Sequence, residues 1–144
     1  MYDHISFHTE ENYPADLPET NAAHHIGYYY AWAVSQDLHS PEAESLPQFE
    51  ALQRGAISGA EFVLNQLKGG IDETCFNDLG NRFTQYYYND DEEGYGSFLT
   101  DYFLTLGIED ENGFYHTANT PAIQQRLNPV FQTAFEQWLH SLRP

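Results

Sequence analysis

The stretch Asn21-Ala22-Ala23-His24-His25-Ile26-Gly27-Tyr28-Tyr29-Tyr30-Ala31-Trp32-Ala33-Val34-Ser35 decides the fold class. Ala22, Ile26, Tyr29, Tyr30 and Ala33 recur at the spacing of a helix face. Ala23, Gly27, Ala31 and Ser35 form a second stripe, every fourth residue and all small. Such a stripe lets another backbone come close. Gly27 costs up to ~1 kcal/mol in a helix interior, so a packing or binding reason for it is expected. Thr20 or Asn21 is placed to cap this helix just after Pro18, and Glu19 suits its positive end. The helix should run to about Leu38, because Pro41 prevents a long continuation.

Toward the N-terminus the chain turns polar, with Pro14 and Pro18. Ile5 and Phe7 alternate with polar neighbours, which allows a short extended piece in an arm that is otherwise loop. Toward the C-terminus, Ser40 to Leu46 reads as a linker. A short helix from about Pro47 to Arg54 turns Phe49 and Leu52 inward and closes at Gly55. Ser58-Gly59-Ala60-Glu61 is a capping box that opens a helix ended by Gly69-Gly70. A further helix covers about Asn77 to Asn89, with Leu79, Phe83, Tyr86 and Tyr87 as core candidates. Ser97 to Leu106 is predicted helical and stopped by Gly107; Ile108 to Asn119 reads as loop.

The last helix has Thr120 as cap and Pro121 at its first position. Pro129 should kink or break it near Asn128. Val130, Phe131, Phe135, Trp138, Leu139 and Leu142 then give an apolar face to the end. These segments predict an all-α fold: an irregular multi-helix single domain over residues 1–144, with at most a short strand pair near the N-terminus. Trp32, Phe83, Phe135 and Trp138 are assigned to its core.

Composition narrows the function classes. The 144 residues are 41% hydrophobic and 16% aromatic, too apolar for a disordered acidic tail despite a net charge of -17. The charge must therefore sit on a folded surface. All five basic residues, Arg54, Lys68, Arg82, Arg126 and Arg143, lie beyond Gln53. Before it stand Asp3, Glu10, Glu11, Asp16, Glu19, Asp37, Glu42, Glu44 and Glu50. Such a field repels nucleic acid and anionic lipid and attracts basic partners; acidity that only aids solubility is the plainer alternative. Cys75 is the only cysteine, so no intramolecular disulfide forms, which suits a reducing compartment. The opening Met1-Tyr2-Asp3-His4 has no signal-peptide character, and no run approaches the ~20 apolar residues of a membrane span. The expected location is the cytoplasm.

Chemistry-bearing patterns are sparse. His4, His8, His24, His25, His39, His116 and His140 show none of the usual metal-ligand spacings. A site built from His24 or His25 with carboxylates from other helices is conceivable in an α bundle. The competing reading is that His25 packs and hydrogen-bonds within the fold. There is no G-x-S-x-G elbow, no P-loop and no G-x-G-x-x-G turn, and Cys75 has no adjacent cation to activate a thiolate. No catalytic residue, metal requirement or cofactor is expected.

The aromatics say more. The triplets Tyr28-Tyr29-Tyr30 and Tyr86-Tyr87-Tyr88 each span about 200° of a helix, wider than one apolar face. At least one Tyr of each should lie at a boundary or outside, where its rigid body and polar tip suit an interface. A neighbouring helix or the N-terminal arm covering them is the alternative. The candidate partner surface is Tyr28, Tyr86 and Tyr88, with the acidic runs Asp90-Asp91-Glu92-Glu93 and Glu109-Asp110-Glu111.

The segment Asn21-Ala22-Ala23-His24-His25-Ile26-Gly27, continuing to Ala31-Trp32, resembles a family of small uncharacterised bacterial proteins with an N-A-A-x-H-I-G…A-W helix near the N-terminus. The resemblance extends to Tyr13-Pro14-x-x-Leu17-Pro18, Gly80-Asn81-x-Phe83, Asp101-Tyr102…Leu106-Gly107 and Phe135-x-x-Trp138. Small acidic bacterial proteins of this kind are similar to the immunity proteins of toxin systems, an analogy of class. Its implication is a stoichiometric neutraliser of a cationic toxin domain, such as a basic nuclease, without binding nucleic acid or membrane. The alternative is a small metal-dependent enzyme using His25 with carboxylates. A stress or signalling adaptor is a third reading. His25, Gly27 and Trp32 are either a shared site or a shared core.

Overall fold

The computed structural model describes residues 1–10, 13–89 and 97–142. Its axis is helix α2 (His24–Ser35), where nine of the 12 residues are buried. A helix apolar on every side belongs in the middle of a domain, and the other elements wrap around it. The entry differs from the expected cap. Pro18 is extended, and Glu19–Ala23 form a 3-10 turn that leads into α2 without any side-chain cap. Asn21 instead donates its side-chain amide to the Tyr115 carbonyl at 3.0 Å. The helix ends at Ser35, short of Leu38, because Asp37 takes a left-handed conformation at φ 58.

The small-residue stripe has a partner. Helix α5 (Gly59–Gln66) is opened by the expected capping box, with the Glu61 N–H donating to Ser58 Oγ at 3.1 Å. It lies directly against α2: a Cβ on Gly27 would stand 2.1 Å from the Ala60 nitrogen, and one on Gly59 would stand 1.9 Å from the Gly27 carbonyl oxygen. Gly27 is therefore a packing residue.

Ahead of α2 lie strand β1 (Asp3–His4) and a single turn, α1 (Ser6–Thr9). Strand β1 pairs antiparallel with β2 (Gly70–Ile71), Asp3 opposite Ile71 and His4 opposite Gly70. This is the minor strand pair near the N-terminus. Two short helices follow α2, α3 (Pro41–Glu44) and α4 (Phe49–Gln53), and α5 comes next. Helix α6 (Asp78–Tyr87) is capped by Asn77, and α7 (Phe98–Leu106) is stopped by Gly107 at φ 66. Between Ile108 and Asn119, read as loop, a short helix α8 (Glu111–Tyr115) forms, capped by Asp110 and burying Phe114.

Helix α9 (Pro121–Ser141) starts at Thr120 and Pro121 as predicted but runs unbroken through Pro129. Its interior proline forfeits one hydrogen bond at a cost of ~3 kcal/mol or more. Leu127 and Phe131, on either side, are fully buried, each stabilising by roughly 1.5–3 kcal/mol. That burial holds the helix together.

The core between α2, α6, α7 and α9 is aromatic. Trp32, Phe83, Tyr87, Phe98, Phe131, Phe135 and Trp138 are all buried. Phe83 stacks on Tyr87 with centroids 5.1 Å apart, and Trp32 meets Phe131 and Phe135 edge-on. Leu79 and Tyr86, expected in this core, face outward on α6. Among the described residues no helix is long and apolar enough to cross a membrane.

Candidate functional site

Two places could carry function: the acidic exterior and a buried polar cluster behind β1. On the exterior, Glu10, Asp16, Glu19, Asp37, Glu42, Glu44 and Glu50 of the cation-free N-terminal third are exposed. Little of their charge is answered among the described residues, where His39 Nε2 stands 2.9 Å from Glu44. Among the described residues, the one Lys/Arg–carboxylate ion pair is Arg82–Asp78 at 3.6 Å, itself exposed. Arg126 is turned to the Thr105 carbonyl near the end of α7. His116 reaches Asp16 at 2.9 Å; its bond to the Asn112 carbonyl, then Asp16, raise its pKa above the ordinary value.

The predicted partner residues divide. Tyr86 is 45% exposed and meets Trp138 with ring centroids 6.1 Å apart. Glu109 and Asp110 are exposed just before α8. Asp90, Asp91, Glu92 and Glu93 lie outside the described residues, as does the side chain of Glu111.

Tyr28 and Tyr88 are corrections, because both are buried. A triplet spanning 200° reaches the exterior only on a helix with an exterior, and α2 has none at Tyr28-Tyr29-Tyr30. Each phenol finds a different partner: Tyr28 donates to the Ala118 carbonyl at 2.5 Å, Tyr29 pairs with Thr84 Oγ1 at 2.9 Å, and Tyr30 donates to the Cys75 carbonyl at 3.0 Å. Tyr88 turns inward to Asp3.

Asp3 is the centre of the second place, and it departs from the expectation that the acids lie on the surface. Strand β1 carries its side chain inward, 10% exposed. Oδ1 accepts from the His4 N–H at 2.8 Å and pairs with His8 Nε2 at 2.7 Å. Oδ2 pairs with His25 Nε2 at 2.9 Å and accepts from the Tyr88 hydroxyl at 2.5 Å. Beyond it, His8 Nδ1 pairs with the Tyr115 hydroxyl at 2.7 Å. Burial alone would raise the Asp3 pKa; the His25 charge and hydrogen bond, then those of His8, outweigh it and hold the carboxyl well below its usual range. Burial lowers the pKa of His25, against the pull of Asp3. Burial and then Asp3 raise that of Tyr88.

Strand β1, turn α1, helix α2 and the end of α6 thus converge on one carboxylate. Of these residues the sequence singles out His25 as a site candidate and Tyr88 as a partner contact. Asp3 and His8 figure in the sequence only among its acids and histidines, because their partners come from distant elements; the one local signal is the four-residue spacing of His4 and His8. His24, named beside His25, points away to the Thr117 carbonyl. Cys75 is buried, which pushes its thiol up to about 11, so it is no activated nucleophile.

A cavity of about 520 Å³ lies elsewhere, between Tyr28, Arg54, Glu61, Asn119, Gln124 and Asn128.

Residues 1–117 match the family described as a domain of unknown function, DUF7832, and the chain belongs to it. The match stops short of α9, although α9 supplies Phe131, Phe135 and Trp138 to the core. No curated protein and no solved structure matches the chain.

Proposed function

We propose that this protein is an immunity-type binding protein of the bacterial cytoplasm, which neutralises a cationic toxin domain by stoichiometric binding. The observation that supports this reading is the acidic exterior: exposed carboxylates throughout the first third of the chain, with Arg82–Asp78 as the Lys/Arg ion pair among the described residues. Self-repulsion of that kind destabilises a folded chain, and a basic partner relieves it. A nuclease groove, which binds phosphates, offers the matching surface. Tyr86 and the acids Glu109 and Asp110 are the described residues best placed to contribute. Tyr28 and Tyr88 act by holding the fold.

The competing enzyme reading draws on His25 and Asp3. Against it stands the position of that cluster: the cavity of about 520 Å³ is lined by other residues.

Affinity capture from the native strain, followed by reconstitution with the isolated partner, tests the proposal. A basic domain bound one-to-one, whose toxicity falls in proportion to added protein, supports it. An acidic partner, a nucleic acid, or a partner whose activity is untouched refutes it.

A further inference from the structure

We propose that Asp3, His8 and His25 bind one divalent transition-metal ion, which ties the N-terminal strand to the central helix. This goes beyond toxin binding and does not depend on it. Asp3, His8 and His25 each offer one ligand atom, and the three atoms lie within 4.8 Å of one another. Around a tetrahedral ion with bonds of ~2.0–2.1 Å, ligand atoms stand roughly 3.3 Å apart. His8 Nε2 now stands 2.7 Å from Oδ1 and His25 Nε2 2.9 Å from Oδ2, on opposite oxygens of the carboxylate, and each contact opens by about half an ångström to admit an ion.

The surroundings suit the donors. A ligating histidine needs its other ring nitrogen held, and His8 Nδ1 has the Tyr115 hydroxyl at 2.7 Å. A phenol hydroxyl both donates and accepts. It accepts from Nδ1–H in the tautomer that carries the ring proton on Nδ1 and leaves Nε2 free to bind the ion. Tyr88 remains a donor to the carboxylate, a partner that orients a ligand without touching the metal.

The charge points the same way. Asp3 is a buried acid whose ion-pairing partners are the two imidazoles, His8 at 2.7 Å and His25 at 2.9 Å, and a cation held by the same imidazoles would supply that counter-charge in their place. Buried charges are ordinarily paired or coordinated to a metal. Two imidazoles and one carboxylate select zinc, cobalt, nickel or ferrous iron over magnesium and calcium, which take oxygen ligands. The His8 side chain is 19% exposed, against 2% for His25, so the ion enters past His8. A water from that side completes the coordination.

The test uses the full chain, stripped with a chelator and titrated with Co²⁺ and Zn²⁺. We expect one equivalent of Co²⁺ to bind with the visible d–d bands of a low-coordinate site, and Zn²⁺ to displace it and raise the melting temperature. His8→Gln keeps an N–H donor for Asp3 but removes the imidazole ligand, so it should fold and yet bind at least ~10-fold more weakly. His116→Ala and His140→Ala, on the exterior, should bind like the parent chain. The proposal is overturned if the parent chain retains no Co²⁺, if His8→Gln retains it equally, or if retention follows His116 or His140. Should His8→Gln fail to fold, the parent titration still decides.

Discussion

Replacing Gly27 by alanine sets two effects of known size against each other. In an open helix the change favours folding by ~1 kcal/mol, because alanine is the better helix former. Here the added methyl would lie 2.1 Å from the Ala60 nitrogen, 2.5 Å from its Cα and 2.5 Å from the Gly59 carbonyl carbon. Ordinary contact begins near 3.4 Å, so α2 and α5 must part by about 1 Å at their closest point. All three obstacles are backbone atoms, which no rotamer change can move aside. Overpacking typically costs 1–3 kcal/mol, and a clash of backbone on backbone belongs at the upper end. Subtracting the propensity gain leaves a net loss of ~2 kcal/mol. For a chain of this size that lowers the melting temperature by roughly 4–8 °C. Urea denaturation and a thermal scan read both quantities. A Gly27→Ala variant as stable as the parent, or more so, would refute the packing role and return Gly27 to the list of binding candidates.

Phe135 is buried against Trp32 and Phe83. Phe135→Ala should cost ~3–5 kcal/mol in urea unfolding, and a loss below ~1 kcal/mol would remove it from the core. His116 should titrate above the ordinary ~6.5 in an NMR pH series, because the Asn112 carbonyl and then Asp16 favour its charged form. The stabilisation from this raised pKa is complete below the ordinary imidazole value and is lost as pH rises through the folded value. Asp16→Asn should move the midpoint down; an unmoved midpoint would show that the Asp16 contact is absent in solution.

Local chemistry was the legible part of this fold. Ser58 with Glu61, and Thr120 with Pro121, start helices by side-chain and φ effects that act within a few residues. Long-range burial decided the departures. Pro129 fits inside a helix because Leu127 and Phe131 reach the same core, which no local rule can anticipate. The first tyrosine triplet reads as half-exposed only if α2 has an outer face. The short helix α8 is five residues with a glycine inside it, too brief for periodicity to register. The polar cluster was hidden for a related reason: Asp3 and His8 come from the arm and His25 from the central helix, so no spacing in sequence marks them as neighbours.

The central claim is that the acidic exterior exists to meet a cationic domain. It is tested most directly by the association rate with the captured partner across a salt series. The parent chain is compared with one carrying Asp90→Asn, Asp91→Asn, Glu92→Gln and Glu93→Gln, and with Glu109→Gln plus Asp110→Asn, where asparagine can still cap α8. Opposite fields raise encounter rates by 10- to 1,000-fold, an effect screened over ~10 Å at 0.1 M salt. The parent should associate fast at low salt and slow steeply as salt rises. A variant whose neutralised acids face the partner should start slower and depend less on salt, with dissociation little changed. An association rate indifferent to salt and to all six substitutions would contradict the account.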